Sequence, residues 1–151
     1  MKLHYEKAKD TDIELLYECN RELVNRYEDM ETIDYDRVMQ WIRQKLQKHI
    51  REYTCVTAEG VPVAYFHFYP AGQKMELDDL YVMPAFRNQG FGTEILKKCL
   101  AETPLPVFLY VFAENKGAIA LYERMGFRVV ERVSKTRLVM EYEGRGEAQW
   151  N

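Results

Sequence analysis

The spacing of hydrophobic positions changes twice along this chain. Residues 3–8 alternate and predict a short strand. Ile13, Leu16, Tyr17, Leu23 and Val24 then fall on one side of a helix, and Thr11-Asp12-Ile13-Glu14 reads as its capping box. Val38, Ile42, Leu46 and Ile50 recur every four residues and predict a second helix over about residues 35–50. From Glu52 the period becomes that of strands. Residues 53–58, 61–69 and 74–82 are β-branched and aromatic, and Glu59-Gly60 and Pro70-Ala71-Gly72 separate them as turns. They predict an antiparallel meander.

The helical period returns at Phe91, Ile95, Leu96, Cys99 and Leu100, and Pro104 and Pro106 end it. The apolar run 107–112 predicts the next strand, joined to the meander by a parallel crossover. Residues 115–125 predict a last helix, stopped by Gly126, and residues 127–132 and 136–142 a closing hairpin. Residues 143–151 are polar and predict a loose tail, so a single domain spans residues 1–142.

Composition narrows the classes. With 151 residues, 47% of them hydrophobic, the chain can bury a real core. A net charge of −3 argues against nucleic acid and suits a cationic substrate. No run approaches the roughly 20 apolar residues of a membrane span, and residues 1–6 show no signal-peptide core, so the expected place is the cytoplasm. Cys19, Cys55 and Cys99 have neither paired nor metal-like spacing and read as free thiols. His4, His49 and His67 are far apart, and no metal site is expected.

The segment Arg87-Asn88-Gln89-Gly90-Phe91-Gly92-Thr93 carries chemistry. It lies between a strand and a helix, where free backbone N–H groups converge at a helix N-terminus and bind anions. Glycine at 90 and 92 keeps side chains away, and Arg87 adds a positive charge. It is not a Walker loop, since no Gly-Lys-Ser/Thr follows, nor the dinucleotide fingerprint, since the third glycine is missing. Taken alone it reads equally as a tight turn needing positive φ.

A second motif, Asn115-Lys116-Gly117-Ala118-Ile119-Ala120-Leu121-Tyr122-Glu123-Arg124-Met125-Gly126-Phe127, has the form N-x-x-A-x-x-L-Y-x-x-x-G-F. With R-x-x-G-x-G before it, and with the same order of elements, the whole chain resembles the GCN5-related N-acetyltransferase (GNAT) superfamily. The resemblance implies an α/β (α+β) acyl-CoA N-acyltransferase fold: a mixed six- to seven-stranded sheet, helices on both faces, strands splayed at the cofactor site. It also implies acetyl-CoA as donor.

Carried over by residue, the resemblance gives the N–H groups of Gln89, Gly90, Phe91, Gly92 and Thr93, within the loop that begins Arg87-Asn88, to the pyrophosphate of coenzyme A. Leu80-Tyr81-Val82 lies along the pantetheine, with Val82 pairing to it as a strand would. The Leu80 N–H stabilises the thioester oxyanion. Asn115 touches the pantetheine arm, and Lys116 reaches for a phosphate. Tyr122 takes the place of the general acid, and Glu76 that of the base.

The chemistry of these groups agrees. A phenol of pKa near 10 can protonate a leaving thiolate of pKa near 8.5, although Tyr122 can also simply pack against the sheet. An alkyl ammonium of pKa about 10.4 must lose a proton before attack, and a carboxylate or water chain can take it. Strand alternation places Asp78 on the face of Glu76 and Asp79 on the other, and the bland alternative for Glu76 and Asp78 is a solvated face. Tyr69 could line an acceptor pocket. The acidic residues Glu28, Asp29, Glu31, Asp34 and Asp36 read first as a solvated connection and second as a wall of that pocket. The leading expectation is transfer of acetyl to a small-molecule amine in a ternary complex, without nucleic acid or membrane, homodimers being common in the superfamily. A protein or peptide acceptor, and a non-catalytic acyl-CoA sensor, are the alternatives.

Overall fold

A computed structural model describes residues 1–144. The elements run β1 (Leu3–Lys7), α1 (Ile13–Tyr27), α2 (Tyr35–His49), β2 (Thr54–Ala58), β3 (Val61–Ala71), β4 (Lys74–Val82), α3 (Phe91–Ala101), β5 (Val107–Phe112), α4 (Lys116–Arg124), β6 (Arg128–Arg132) and β7 (Arg137–Tyr142). The seven strands form one sheet in the order β1-β2-β3-β4-β5-β7-β6. Every neighbouring pair is antiparallel except β4 and β5. The tail expected over residues 143–151 lies, from residue 145 on, outside the described residues. At Gly144 the backbone rests against Leu105, where a Cβ would meet main-chain atoms at 2.8 Å.

Both faces of the sheet are covered. On one, α3 and α4 bury Ile95, Leu96 and Tyr122 against Val107, Leu109 and Met140. On the other, α1 and α2 bury Leu16, Ile42, Leu46 and Ile50 against Tyr53, Cys55 and Tyr65. Complete burial of a leucine such as Leu16 or Leu46 contributes about 1.5–3 kcal/mol. The three cysteines are free and buried.

The start of α1 differs from its expected capping box. A single 3-10 turn over Asp10–Asp12 precedes the helix, and Asp12, not Glu14, receives the Lys9 N–H at 2.7 Å. Asp12 also accepts from the Tyr65 hydroxyl at 2.8 Å, which ties the turn to β3. Glu14 is released to pair with Arg43 of α2.

Two irregularities shape the centre of the sheet. β4 and β5 pair only at Met75–Val107 and Glu76–Phe108, after which they part. Opposite Phe66 of β3, β4 carries the extra residue of a bulge, with Asp79 at φ 52°. The Met75 N–H points to β5, reaching the Pro106 carbonyl, whereas the Met83 N–H points to β3, reaching Val63. Regular alternation would send both the same way. The bulge reverses the phase, so the N–H groups of Leu80 and Val82 face the gap between β4 and β5.

Candidate active site in the cleft between β4 and β5

The gap opens into a cleft of about 1710 Å³ that runs from the first turn of α3, past β4 and β5, to α1 and α2. At one end, Gly90 caps α3 in the left-handed conformation at φ 85°, and Asn88 precedes it at φ 62°. No close backbone hydrogen bond or side-chain cap takes up the amides of Asn88, Gln89 and Gly90 among the described residues. The amides of Phe91, Gly92 and Thr93 have no acceptor within the helix either. Six donors are therefore available at one helix end, the arrangement that suits a diphosphate. The space beside Gly90 is open, but a Cβ on Gly92 would meet Leu121 Cδ2 at 3.1 Å. Gly92 thus lets α4 approach α3, a packing role in addition to the steric clearance expected for an anion.

The other expected cofactor residues divide. Arg87, Asn88, Thr93, Tyr81, Val82 and Asn115 line the cleft. Arg87 donates from Nε to the Val82 carbonyl at 3.0 Å and lies over the Tyr81 ring. Asn115 caps α4, its Oδ1 receiving the Ala118 N–H at 3.3 Å. Gln89 and Lys116 do not line the cleft: their side chains turn back to the carbonyls of Ala85 and Ala113.

Tyr122 lies in the floor, buried to 8% exposure against Phe127. Its hydroxyl has no hydrogen-bond partner among the described residues. Burial raises its pKa, so the phenol stays protonated across the neutral range. Glu76 stands at the point where β4 and β5 part and receives the Tyr69 hydroxyl at 2.6 Å. Burial, then the Glu76 contact, raises the Tyr69 pKa and keeps it a donor.

The bulge overturns the expectation that Asp79 faces away from Asp78. Lys45 Nζ lies 3.0 Å from Asp78 and 2.9 Å from Asp79, and the Tyr53 hydroxyl reaches Asp79 at 2.7 Å. Burial, then the neighbouring Asp79 charge, pushes Asp78 up to about 6 despite Lys45. Burial opposes the Lys45 charge, but the two carboxylates outweigh it and its pKa is raised. Tyr53 is raised by burial and by Asp79. His67 is stacked between Tyr53 and Tyr69, at ring distances of 4.6 and 4.3 Å, and burial lowers its pKa. Lys45 and His67 both line the cleft, and neither was singled out from the sequence for it.

The acidic connection between α1 and α2 is not simply a solvated face. Glu28 accepts from the Thr136 hydroxyl, and Lys135 reaches Asp29 at 3.2 Å. This strap joins the α1–α2 connection to the turn between β6 and β7. Among the described residues no helix is long and apolar enough to cross a membrane.

Comparison with known proteins matches this geometry. Solved structures share the fold: the PaiA N-acetyltransferase from Thermoplasma acidophilum in complex with coenzyme A has a TM-score of 0.69 and 22% identity, covering 95% of this chain and 99% of its own. The ribosomal-protein-S18-alanine N-acetyltransferase from Escherichia coli has a TM-score of 0.65 and 19% identity, covering 97% of each chain. In sequence, mouse thialysine N-epsilon-acetyltransferase is 35% identical over 92 residues, 48% of this chain and 54% of the relative. The mycothiol acetyltransferase of Corynebacterium glutamicum is 34% identical over 80 residues, 48% of this chain and 27% of the relative. This chain therefore spans about half the length, or less, of these curated relatives. The Acetyltransferase (GNAT) family model matches residues 14–127, which include the β4 bulge, the amide-rich turn into α3 and the Asn115–Tyr122 segment, and the chain belongs to that family.

Proposed function

We propose that this protein is an N-acetyltransferase that moves the acetyl group of acetyl-CoA onto the amine of a small molecule, with both substrates bound together. One observation carries the reading. The unpaired amides at the start of α3 open into the same cleft as Tyr122, Glu76 and the gap-facing N–H groups of Leu80 and Val82. The residues present fit coenzyme A: amides 88–93 and Arg87 suit its diphosphate, and Val82 and Asn115 its pantetheine. The PaiA neighbour, similar in fold alone, holds coenzyme A, and the thialysine and mycothiol enzymes act on small molecules by their names. Glu28, which lines the acceptor side of the cleft, is tied to Thr136 by the strap, and an enclosed acceptor side favours a small acceptor over a folded protein.

The thioester supplies an activated acetyl carbon. Glu76, directly or through water, takes the proton of the incoming ammonium. The Leu80 N–H donates to the carbonyl oxygen as charge builds there. Tyr122 gives its proton to the departing sulfur as the carbon–sulfur bond breaks and the carbon–nitrogen bond forms, and the second proton of the attacking nitrogen returns through solvent to the phenolate. Asp78 and Asp79, held together by Lys45, shape the wall beside Glu76.

The test is release of coenzyme A from acetyl-CoA over a panel of polyamines, amino acids, aminoglycosides and peptides. Acetylation of at least one small amine is expected. Calorimetric binding of acetyl-CoA with no turnover on any amine would instead mark a sensor module.

A further inference from the structure

Seven cationic side chains line the cleft: Arg26, Arg37, Lys45, Lys48, Arg87, Arg124 and Arg137. Arg26 is paired with Glu22, and Lys45 with Asp78 and Asp79. Arg37, Lys48, Arg87 and Arg124 are exposed. Arg137 alone among them is half-buried with no carboxylate within ion-pair distance among the described residues. It opens β7, directly opposite Phe112 of β5. Its guanidinium lies over two rings, 5.0 Å from the Tyr110 centroid and 5.8 Å from that of Phe112.

The face on which Arg137 stands is settled by its neighbours. Val107, Leu109 and Val111 of β5 pack into the core under α3 and α4, so Tyr110 and Phe112 project to the α1 and α2 side. Phe112 stacks on Tyr27 of α1 at 5.8 Å. Arg137 is therefore on the side of Glu76, Asp78 and Lys45, away from the start of α3. The nearest acid of the strap, Glu28, is occupied by the Thr136 hydroxyl and the Asp29 N–H. A guanidinium held over two aromatic rings by cation–π attraction keeps its fork of N–H groups free for another partner. That geometry fits a carboxylate and binds it through two parallel hydrogen bonds.

We propose that Arg137, on its shelf of Tyr110 and Phe112, is a carboxylate-binding subsite of the acceptor half of the cleft, and that the acceptor is an amine bearing a free carboxylate. The proposal rests on the acyl-transfer reading above only for the presence of an amine. The net acidity of the chain by itself argues for a polycation. Arg137 argues against one, because a polyamine would leave this buried-side cation unmatched and would be repelled by it.

Two pairs of probes isolate the carboxylate: L-lysine against 1,5-diaminopentane, and 5-aminopentanoate against pentylamine. Each is titrated by calorimetry into the full chain saturated with coenzyme A, with wild type, Arg137→Gln, Arg137→Lys and Tyr110→Leu. The wild type is expected to bind the acid of each pair at least tenfold more tightly. Arg137→Gln should bring the ratio close to one, and Arg137→Lys, which keeps the charge but loses the fork, should restore it only in part. Tyr110→Leu should weaken the acids selectively. A merely structural role would weaken both members of a pair equally. Stronger binding of the carboxylate-free members, no binding of either acid, or an unchanged ratio in Arg137→Gln overturns the subsite while leaving acyl transfer standing. Failure of the wild type to bind coenzyme A at all would instead sink the reading of the cleft.

Discussion

Lys45 holds Asp78 and Asp79 together on one side of β4, with its Nζ 3.0 and 2.9 Å from the two carboxylates. Adjacent residues on a regular strand face opposite ways, so this contact exists because of the bulge at Asp79. Among the described residues the pair of acids has only this cation beside it, and both sides are largely buried. Lys45→Met should therefore cost about 3–5 kcal/mol at pH 7, the range for breaking a buried pair. Urea unfolding checks it, and part of the loss should return as the pH is lowered and the carboxylates take up protons.

Asp78 gives a pH signature of its own. Its pKa in the folded protein, about 6, stands above its ordinary value, so between roughly pH 4 and 6 the native state binds more protons than the unfolded chain. Its contribution to stability is present below pH 4 and is lost as the pH rises through about 6. Asp78→Asn removes that loss. Relative to wild type, the variant should gain on the order of 1–3 kcal/mol between pH 4 and pH 7, measured as the difference between two series of denaturation curves. A constant difference across that range would show that Asp78 does not titrate there.

Tyr122→Phe removes a buried phenol that has no hydrogen-bond partner among the described residues, so stability should change little. The turnover number on the best acceptor should fall by about 100-fold, with coenzyme A affinity held within a factor of two to three on the order-of-magnitude scale of a lost contact. Because burial holds this group protonated, the wild-type turnover should show no alkaline limb from it up to about pH 9. A variant that keeps full turnover would remove Tyr122 from the proton path.

Glu76→Gln tests the base through substrate protonation. At pH 7 the variant should lose about 100-fold in kcat/KM. With the base gone, only amine already deprotonated in solution can react, so the variant's rate should climb about tenfold per pH unit toward the amine pKa near 10.4. A deficit that stays the same from pH 7 to pH 9.5 would assign Glu76 to binding.

The two glycines of the turn should separate in a double-mutant cycle. Gly90→Ala meets no atom but forces φ 85° on a residue with a Cβ, at a cost of about 1–2 kcal/mol that no neighbour can relieve. Gly92→Ala crowds the end of the Leu121 side chain at 3.1 Å, with Val82 Cγ2 at an ordinary 3.9 Å. Its destabilisation should shrink in a Leu121→Ala background, whereas that of Gly90→Ala should add to it.

Much of this architecture is legible in the residues. The switch of hydrophobic period at Glu52, the glycines at the start of α3 and the Asn115–Tyr122 segment mark the elements and the amide-lined end of the cleft, because those features follow from backbone geometry and local spacing. What escaped is what depends on a break in regularity or on distant partners. A bulge at Asp79 has no glycine to announce it, although aspartate is among the residues that tolerate positive φ. Lys45, within α2, reaches Asp78 of β4 across 33 residues of sequence. Glu14 fits a capping box on spacing alone, yet a preceding 3-10 turn hands that role to Asp12. Arg137 has no local signal in the sequence, because Tyr110 and Phe112 come beneath it only through the pairing of β5 with β7.

The contacts of Glu28 with Thr136 and of Asp29 with Lys135 span sequence separations of 108 and 106 residues. They connect the layer resting on the first strands to the hairpin hung from the last two. Since β4 and β5 share only two register pairs, the sheet behaves as two leaves meeting at a short spine, and this distant tie acts like the cross-bar of a stepladder. It fastens the two leaves a second time, so parting them there requires breaking these two polar contacts.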